Sequence, residues 1–321
     1  MAFNWKGTMK PEILVVTPWH PATIEALDRE FVTRKLWLAA DPKALLASSA
    51  ERVRALVTSP FARIDAGLID ALPRLEIISC FGVGVDSIDM DAAKRRNIIV
   101  TNAPNAMNDC VADLTLGLII AVSRRLCDGD QFVRAGKWLN GTTRPLGRKV
   151  SGKRLGIIGM GRIGKVIARR AAAFDMAIAY HSRHRVQESP FPYYAQLVDL
   201  ARNSDYLVAI VPGGNETYHL VSEEVMRALG PTGILVNVAR GSVVDEKALV
   251  KCLQEGALGG AGLDVFEEEP KVPEALFTMD NVVLQPHVGS GTHETRTAMG
   301  QLTVDNLLAH FAGRPPLTPV N

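Results

Sequence analysis

Three residue types that suit the reduction of a carbonyl each follow a separate apolar run. Arg240 follows Ile234–Ala239, the acidic segment Glu267–Glu269 follows Gly259–Phe266, and His287 follows Val282–Pro286. A guanidinium pairs with carboxylate oxygens, a His delivers a proton to a new hydroxyl, and a carboxylate orients that His. Together these types suit a site that reduces a 2-oxo acid.

Each of these residues also has a purely structural interpretation. Arg240 is otherwise a surface Arg at a strand end, and His287 a histidine whose hydrogen bonds serve the fold. Glu267 and Glu268 are better interpreted as solvated loop charges. The sequence does not decide which of the three glutamates faces inward.

A glycine pattern, G-x-G-x-x-G, lies at 159–164, between an apolar run and a helical pattern. Gly159 permits a tight turn, Gly161 leaves room for a pyrophosphate, and Gly164 lets the helix pack on the strand. The N-terminus of the helix offers N–H groups to phosphates. This order of strand, turn and helix predicts a dinucleotide site.

The segment after the next predicted strand indicates which dinucleotide is bound. An NAD site usually carries an Asp or Glu there, roughly 20 residues beyond the glycines. The chain instead reads His-Ser-Arg-His-Arg at 181–185. Guanidiniums and a hydroxyl suit the 2′-phosphate of NADP, whereas the alternative is a solvated basic loop. We expect NADP(H) to be preferred over NAD(H), with Arg183 as the main contact.

Composition narrows the class of protein. The chain has 321 residues, of which 47% are hydrophobic and 22% charged, enough for two domains. A net charge of +2 argues against nucleic acid or a membrane as the main partner. The four cysteines form no C-x-x-C pair, so no metal site is expected. The chain shows no signal-peptide core, and we expect a cytoplasmic protein.

The first hundred residues alternate short apolar runs with helical patterns. Strands are predicted at 13–17, 55–59, 75–80 and 98–102, and helices at 21–30, 66–72 and 90–96. This alternation is typical of a doubly wound parallel sheet. The turn after the first strand, Thr17–His20, has no glycine, so this domain is not expected to hold the dinucleotide.

The remaining chain predicts a second domain of the same class. A long helix is predicted around 111–122, a crossing loop at 138–150, and a last helix from Thr292 to Phe311. Strands are predicted at 155–158, 177–180, 206–210, 234–238, 259–263 and 282–284. The fold class is therefore α/β, with two Rossmann-like doubly wound parallel-sheet domains.

Seven motifs occur in a fixed order along the chain. They are Phe81–Asp86, Thr101–Pro104, Asp109–Asp113, Gly159–Gly164, Asn237–Glu246, Gly262–Pro270 and Gln285–Ser290. In this order they resemble the D-isomer-specific 2-hydroxyacid dehydrogenases. Within that family, the nearest resemblance is to the NADPH-dependent glyoxylate/hydroxypyruvate reductases and the hydroxyphenylpyruvate reductases.

The resemblance implies how the domains are built. A flavodoxin-like substrate-binding domain would comprise residues 1–104 and 293–321, and an NADP-binding Rossmann domain, 105–292, would be inserted, with a cleft between them. It also implies a homodimer, since Trp138 lies in a stretch that resembles the dimer arm of the family. Trp138 would either reach the partner's active site or fill the interface.

The resemblance also implies site residues. Arg240 would orient the substrate, Glu269 would pair with His287, and His287 would be the acid/base. Val83 and Gly84 would bind the substrate through backbone N–H groups, together with Arg240 and His287. The cofactor set would be Gly159, Met160, Gly161, Arg162, Ile163, Gly164, Ser182, Arg183, His184, Val211, Pro212, Thr217, Val238, Ala239, Arg240, Asp264, His287, Gly289 and Ser290.

The function implied is NADPH-dependent reduction of a small 2-oxo acid, glyoxylate or hydroxypyruvate, to the D-2-hydroxy acid. An alternative is a reductase of aryl pyruvates such as hydroxyphenylpyruvate or phenylpyruvate. A third, from another class, is a dinucleotide-sensing interaction protein. The absence of a low-complexity tail that would recruit partners disfavours the third.

Overall fold

The computed structural model describes Trp5 and residues 9–321. The chain divides into two compact units: residues up to Met107 together with Thr292–Asn321, and Asn108–Gly291. These boundaries lie beside those predicted from the sequence, 104/105 and 292/293. The functions assigned to the two domains, and the cleft between them, stay predictions.

Strands and helices alternate through both units. In chain order they are β1 Glu12–Val15, α1 Pro21–Glu30, β2 Val32–Lys35, α2 Pro42–Ser49, β3 Val53–Thr58, α3 Ala66–Asp70, β4 Ile77–Cys80, α4 Met90–Arg95, β5 Ile99–Thr101, α5 Asn108–Arg124, α6 Leu126–Arg134, β6 Arg154–Ile158, α7 Arg162–Ala172, β7 Ala177–His181, α8 Leu197–Arg202, β8 Tyr206–Ala209, α9 Glu223–Leu229, β9 Ile234–Asn237, α10 Glu246–Gln254, β10 Gly260–Leu263, β11 Val282–Leu284 and α11 His293–Phe311.

The sheet of the first unit has the strand order β2-β1-β3-β4-β5, and all its pairs are parallel. This is the 2-1-3-4-5 order of flavodoxin-like folds. Its inner strands β3 and β4 are buried along almost their whole length, as is typical of a parallel sheet with both faces covered. The last helix, α11, belongs to this unit and packs Val304 and Leu307 against Ile13 and Leu27.

The second unit contains a six-stranded parallel sheet with the order β11-β10-β9-β8-β6-β7. Counted from β6, the order is 2-1-3-4-5-6, so the first five strands follow the same path as those of the first unit. The predicted class, two parallel-sheet α/β domains, is confirmed. Within the described residues, no helix combines the length and hydropathy that a membrane span requires.

Strand β2 and helix α2 are missing from the sequence prediction. Strand β2 reads Val-Thr-Arg-Lys and is a partly exposed edge strand, so it lacks the apolar run that marks the inner strands. Helix α2 is short and mostly exposed, but Asp41 caps it by accepting from the N–H groups of Lys43 and Ala44. An Asp-Pro start was therefore a usable signal for α2, whereas β2 offered none.

Candidate active site

The glycine turn follows β6 and shows why each glycine is needed. Gly159 has φ = 106°, and a Cβ there would lie 2.4 Å from the carbonyl oxygen of Ile210. A Cβ on Gly164 would lie 2.1 Å from the carbonyl oxygen of Gly159, so α7 packs directly on the turn. Gly161 precedes α7 and faces open space. A tight turn, open space and a helix N-terminus are what a pyrophosphate requires.

A second loop lies beside this turn, because β6 pairs with both β7 and β8. In open α/β sheets, ligands bind at such a switch point, outside the carboxyl ends of the strands. The loop after β8 carries Val211, Pro212 and Thr217. The Thr217 hydroxyl donates to the carbonyl of Pro212 at 2.7 Å and thereby closes the loop on itself.

The tip of β7 carries the predicted 2′-phosphate residues. The Ser182 hydroxyl donates to the carbonyl of His184 at 2.6 Å, so it shapes the tip. Arg183 is exposed and pairs with Glu216, which lies in the loop after β8. The sequence pattern does not indicate that Glu216 pairs with Arg183. The NAD signature concerns a carboxylate at the end of β7, whereas Glu216 comes 33 residues after Arg183.

Arg240 is held by its neighbours at the end of β9. The buried Asn237 amide donates to the carbonyl of Arg240 at 2.9 Å and accepts from the N–H of Ala239 at 3.1 Å. A Cβ on Gly241 would lie 1.8 Å from the carbonyl carbon of Phe266, so the two backbones touch. Arg240 is thus presented next to the acidic segment. Asn237 and Gly241 received no role from the sequence, although a buried Asn at a strand end is a signal.

The three consecutive glutamates have three different partners. Glu267 Oε1 lies 2.9 Å from His219 Nε2. Glu268 is exposed and faces Lys271 at 3.7 Å. Glu269 Oε2 lies 2.8 Å from His287 Nδ1. The structure thus places Glu269, and neither of the other two glutamates, on His287.

Electrostatics keep Glu269 ionised. Burial alone would raise its pKa, but the hydrogen bond and charge of His287, the N–H of Phe266 and the charge of Arg240 outweigh burial and hold the pKa below its usual range. A carboxylate on Nδ1 orients the ring and stabilises its protonated form. Under the predicted acid/base role of His287, the opposite nitrogen, Nε2, would be the atom that exchanges a proton with a ligand.

Asp264 shapes the turn that carries His287. Its carboxylate accepts from the N–H groups of Val288 and Gly289, at 2.7 and 2.8 Å, and its carbonyl accepts from the N–H of His287 at 2.8 Å. Burial raises the pKa of Asp264, and these two N–H groups oppose that rise. His287 itself has φ = 54°, which few non-glycine residues adopt. Asp264 therefore fixes the geometry of His287, and its predicted place in the cofactor set stays a prediction.

The predicted substrate loop lies in the first unit, after β4. The Asn102 amide donates to the carbonyl of Val83 at 2.8 Å, and the N–H of Ala103 donates to the carbonyl of Gly82 at 2.8 Å. In a trans peptide the N–H points opposite to the carbonyl. The N–H groups of Val83 and Gly84 therefore point away from the 102–103 segment, as an anion-binding loop requires.

A pocket of about 430 Å³ lies at the switch point of the first sheet, between the ends of β1 and β3. Three of its lining residues are aromatic: Trp19, Phe61 and Phe81. The Arg296 guanidinium also lines it, 5.8 Å from the centre of the Phe81 ring. His20 lines it too, and its Nδ1 is buried without a hydrogen-bond partner among the described residues. This pocket suits a flat apolar group.

Comparison with known proteins gives the family. A family model described as D-isomer specific 2-hydroxyacid dehydrogenase, NAD binding domain, matches residues 116–289. The chain belongs to the D-isomer-specific 2-hydroxyacid dehydrogenase family. The resemblance found in the sequence is therefore confirmed. The protein is an oxidoreductase, and its second unit contains the NAD(P)-binding domain of the family.

Similar proteins of this family cover nearly the whole chain. Hydroxyphenylpyruvate reductase of Plectranthus scutellarioides is 51% identical, over 96% of this chain and 98% of that protein. A glyoxylate/hydroxypyruvate reductase of Arabidopsis thaliana is 49% identical over the same shares. The crystal structure of an NADPH-dependent glyoxylate/hydroxypyruvate reductase from Sinorhizobium meliloti, in complex with NADP and malonate, matches with a TM-score of 0.92, 44% identity and 97% of each chain.

Proposed function

We propose that this dehydrogenase reduces glyoxylate or hydroxypyruvate to the D-2-hydroxy acid with NADPH. The observation that supports this most is the His287–Glu269 pair, 2.8 Å long, on segments next to Arg240. The similarity to glyoxylate/hydroxypyruvate reductases supports the substrate class.

Each residue has a proposed role in the reduction. Bound NADPH would supply the hydride that reaches C2 of the 2-oxo acid. Arg240 pairs with substrate oxygens, and His287 Nε2 delivers the proton to the oxygen on C2. Ionised Glu269 holds the protonated ring before the transfer. The N–H groups of Val83 and Gly84 receive the substrate carboxylate.

The preference for NADPH is proposed from the tip of β7. Ser182, Arg183 and His184 replace the carboxylate that NAD sites carry there, and the similar structure from Sinorhizobium meliloti contains NADP. Glu216 pairs with Arg183, so the 2′-phosphate must compete for this guanidinium. We therefore propose that the enzyme prefers NADPH over NADH, by a margin that this competition reduces. The other cofactor residues predicted from the sequence remain proposed contacts.

A second candidate substrate class is the aryl pyruvates. The pocket lined by Trp19, Phe61 and Phe81 favours an aromatic side chain, since aromatic rings stack or meet edge to face. The similarity to hydroxyphenylpyruvate reductase points the same way. Here Trp19, Phe61 and Phe81 would bind the ring of the substrate.

A homodimer is also proposed. Large apolar side chains on the segment after α6 face solvent in the single chain: Trp138 is 71% exposed, Leu139 91% and Leu146 95%. Exposed apolar patches of this kind mark protein interfaces. A second copy of the chain is the proposed partner, with Trp138 filling the interface.

One assay tests the proposed function. NADPH and NADH oxidation is followed at 340 nm with glyoxylate, hydroxypyruvate, pyruvate and phenylpyruvate, using the wild type, His287→Ala, and His293→Ala as an exposed control. Loss of about 10²–10⁴-fold in kcat for His287→Ala alone is expected. Tight NADPH binding without oxidation of either cofactor would instead support a dinucleotide-sensing protein.

A further inference from the structure

A second imidazole–carboxylate pair joins His219 to Glu267, the first residue of the acidic segment. Glu267 Oε1 accepts from His219 Nε2 at 2.9 Å and from the Tyr218 hydroxyl at 3.2 Å. The side chains of His219 and Glu267 are 30% and 25% exposed, so the pair is largely shielded from solvent. Glu267 is two residues before Glu269, the carboxylate that contacts His287.

His219 has a fixed place in the fold. Its backbone adopts φ = 50°, which is uncommon for a residue with a side chain. Its N–H donates to the carbonyl of Ser242 at 2.8 Å, and its ring stacks on Tyr218 with centroids 3.9 Å apart. Asp245 approaches Nδ1 at 3.9 Å. The imidazole is therefore held on the segment that follows Arg240.

Glu267 connects the fixed His219 ring to the backbone of the acidic segment. Its own N–H donates to Glu246 at 2.9 Å, and the preceding N–H, of Phe266, donates to Glu269 Oε1 at 3.1 Å. The backbone of 266–269 is thus held by His219 and Glu246 on one side and by His287 on the other. A rotation of this backbone would move Glu269 off His287.

We propose that His219 and Glu267 are positioning residues for the reduction: their pair holds the 266–269 backbone so that Glu269 stays on His287. The proposal rests on the acid/base role given to His287 under the proposed function. The proposed role of both residues is to act through Glu269 and His287. The charged groups that face the two pairs are Asp245, Glu246, Asp264 and Arg240.

The test is His219→Gly, because glycine adopts φ near 50° without strain and only the imidazole is lost. We expect kcat to fall about tenfold with KM for NADPH unchanged, since small misplacements in a site have effects of this size or larger. The basic limb of the pH profile of reduction should move to lower pH, because the Glu269 carboxylate would no longer stay on the His287 imidazole. A merely structural role would lower activity equally at all pH values.

Two further variants complete the test. His219→Gln restores a donor to Glu267 and should recover part of kcat and of the pH profile. Glu268→Gln, on the exposed neighbour that faces Lys271, should change neither. A His219→Gly enzyme whose kcat and pH profile match the wild type would overturn the proposal.

Failure of the proposed function can be told apart from failure of this inference. If the wild type reduces no 2-oxo acid, NMR titration of the His287 imidazole in wild type and His219→Gly still reports whether the Glu269 contact depends on His219. A titration curve that differs between the two proteins supports the positioning role. Superimposable curves contradict it.

Discussion

The two sheets follow the same path through their first five strands but differ in the turn after the first strand. In the second unit, β6 leads through Gly159 and Gly161 into α7, whose first residue is Arg162. In the first unit, β1 leads through the bulky turn Thr17–His20 into α1, whose first residue is Pro21. The strand order places a switch point in each sheet, and the turn decides what fits there.

The physical reason is space and hydrogen-bond donors. Gly159 allows the backbone to turn against Ile210, and Gly161 faces open space before a helix N-terminus. Pro21 lacks an N–H, so α1 begins with one donor fewer, and aromatic rings line the pocket nearby. The first switch point therefore suits an apolar group and the second a pyrophosphate.

Among the changes that test this comparison, Gly159→Ala should have the largest effect. The new methyl would meet the carbonyl of Ile210 at 2.4 Å in a backbone with φ = 106°. Overpacking and left-handed strain together amount to about 3 kcal/mol, so NADPH binding should weaken about 100-fold in a fluorescence titration. Gly152→Ala is the matched control: φ there is 75°, but no atom lies within 4 Å. Equal NADPH affinity in the two variants would contradict the assignment of the pyrophosphate to the turn at Gly159.

A smaller effect is expected at the β7 tip. Arg183→Ala should lower the NADPH/NADH ratio of kcat/KM about 10–100-fold, because a charge-assisted hydrogen bond contributes about 1.5–3 kcal/mol. Arg185→Ala removes the same charge two residues along and should change the ratio little. An unchanged ratio for Arg183→Ala would refute the proposed 2′-phosphate contact.

The first switch point is tested by Phe61→Ala. An aromatic pair contributes about 0.5–1.5 kcal/mol beyond the burial of its surface area. Loss of one aromatic wall should therefore lower kcat/KM for phenylpyruvate about tenfold and kcat/KM for glyoxylate less. Phe277→Ala is the control, since Phe277 is an exposed Phe of the second unit. Equal losses of kcat/KM for both substrates would mean that the pocket does not bind the side chain of the substrate.

The smallest effect expected concerns stability and pH. Because the pKa of Glu269 is lowered in the native protein, its ionised form stabilises the fold above the ordinary pKa of 4.5, and this contribution is lost as pH falls through the native value. Urea unfolding of wild type and Glu269→Gln should therefore differ more at pH 7 than at pH 4. A difference that grows at acid pH has the wrong sign for this account.

Much of the fold could be predicted because its signals are local. Helix α1 was predicted with the bounds it has, and the inner strands are apolar runs. The partners of Glu267 and Arg183 were not predictable, because they depend on approaches between distant loops. His219 and Glu216 carry no local signal of pairing, and the family motifs alone indicated that Glu269 contacts His287.

Hydrogen exchange measured by mass spectrometry on the wild type tests the central claim most directly, because it shows which of the two switch points NADP⁺ occupies and whether the predicted substrate loop binds a 2-oxo acid analogue. NADP⁺ should protect the turn at 159–164 and the loop at 211–217, and oxamate, an unreactive 2-oxo acid analogue, should protect 82–85. Protection of Thr17–His20 by NADP⁺, with 159–164 unchanged, would contradict the assignment of the cofactor to the second unit.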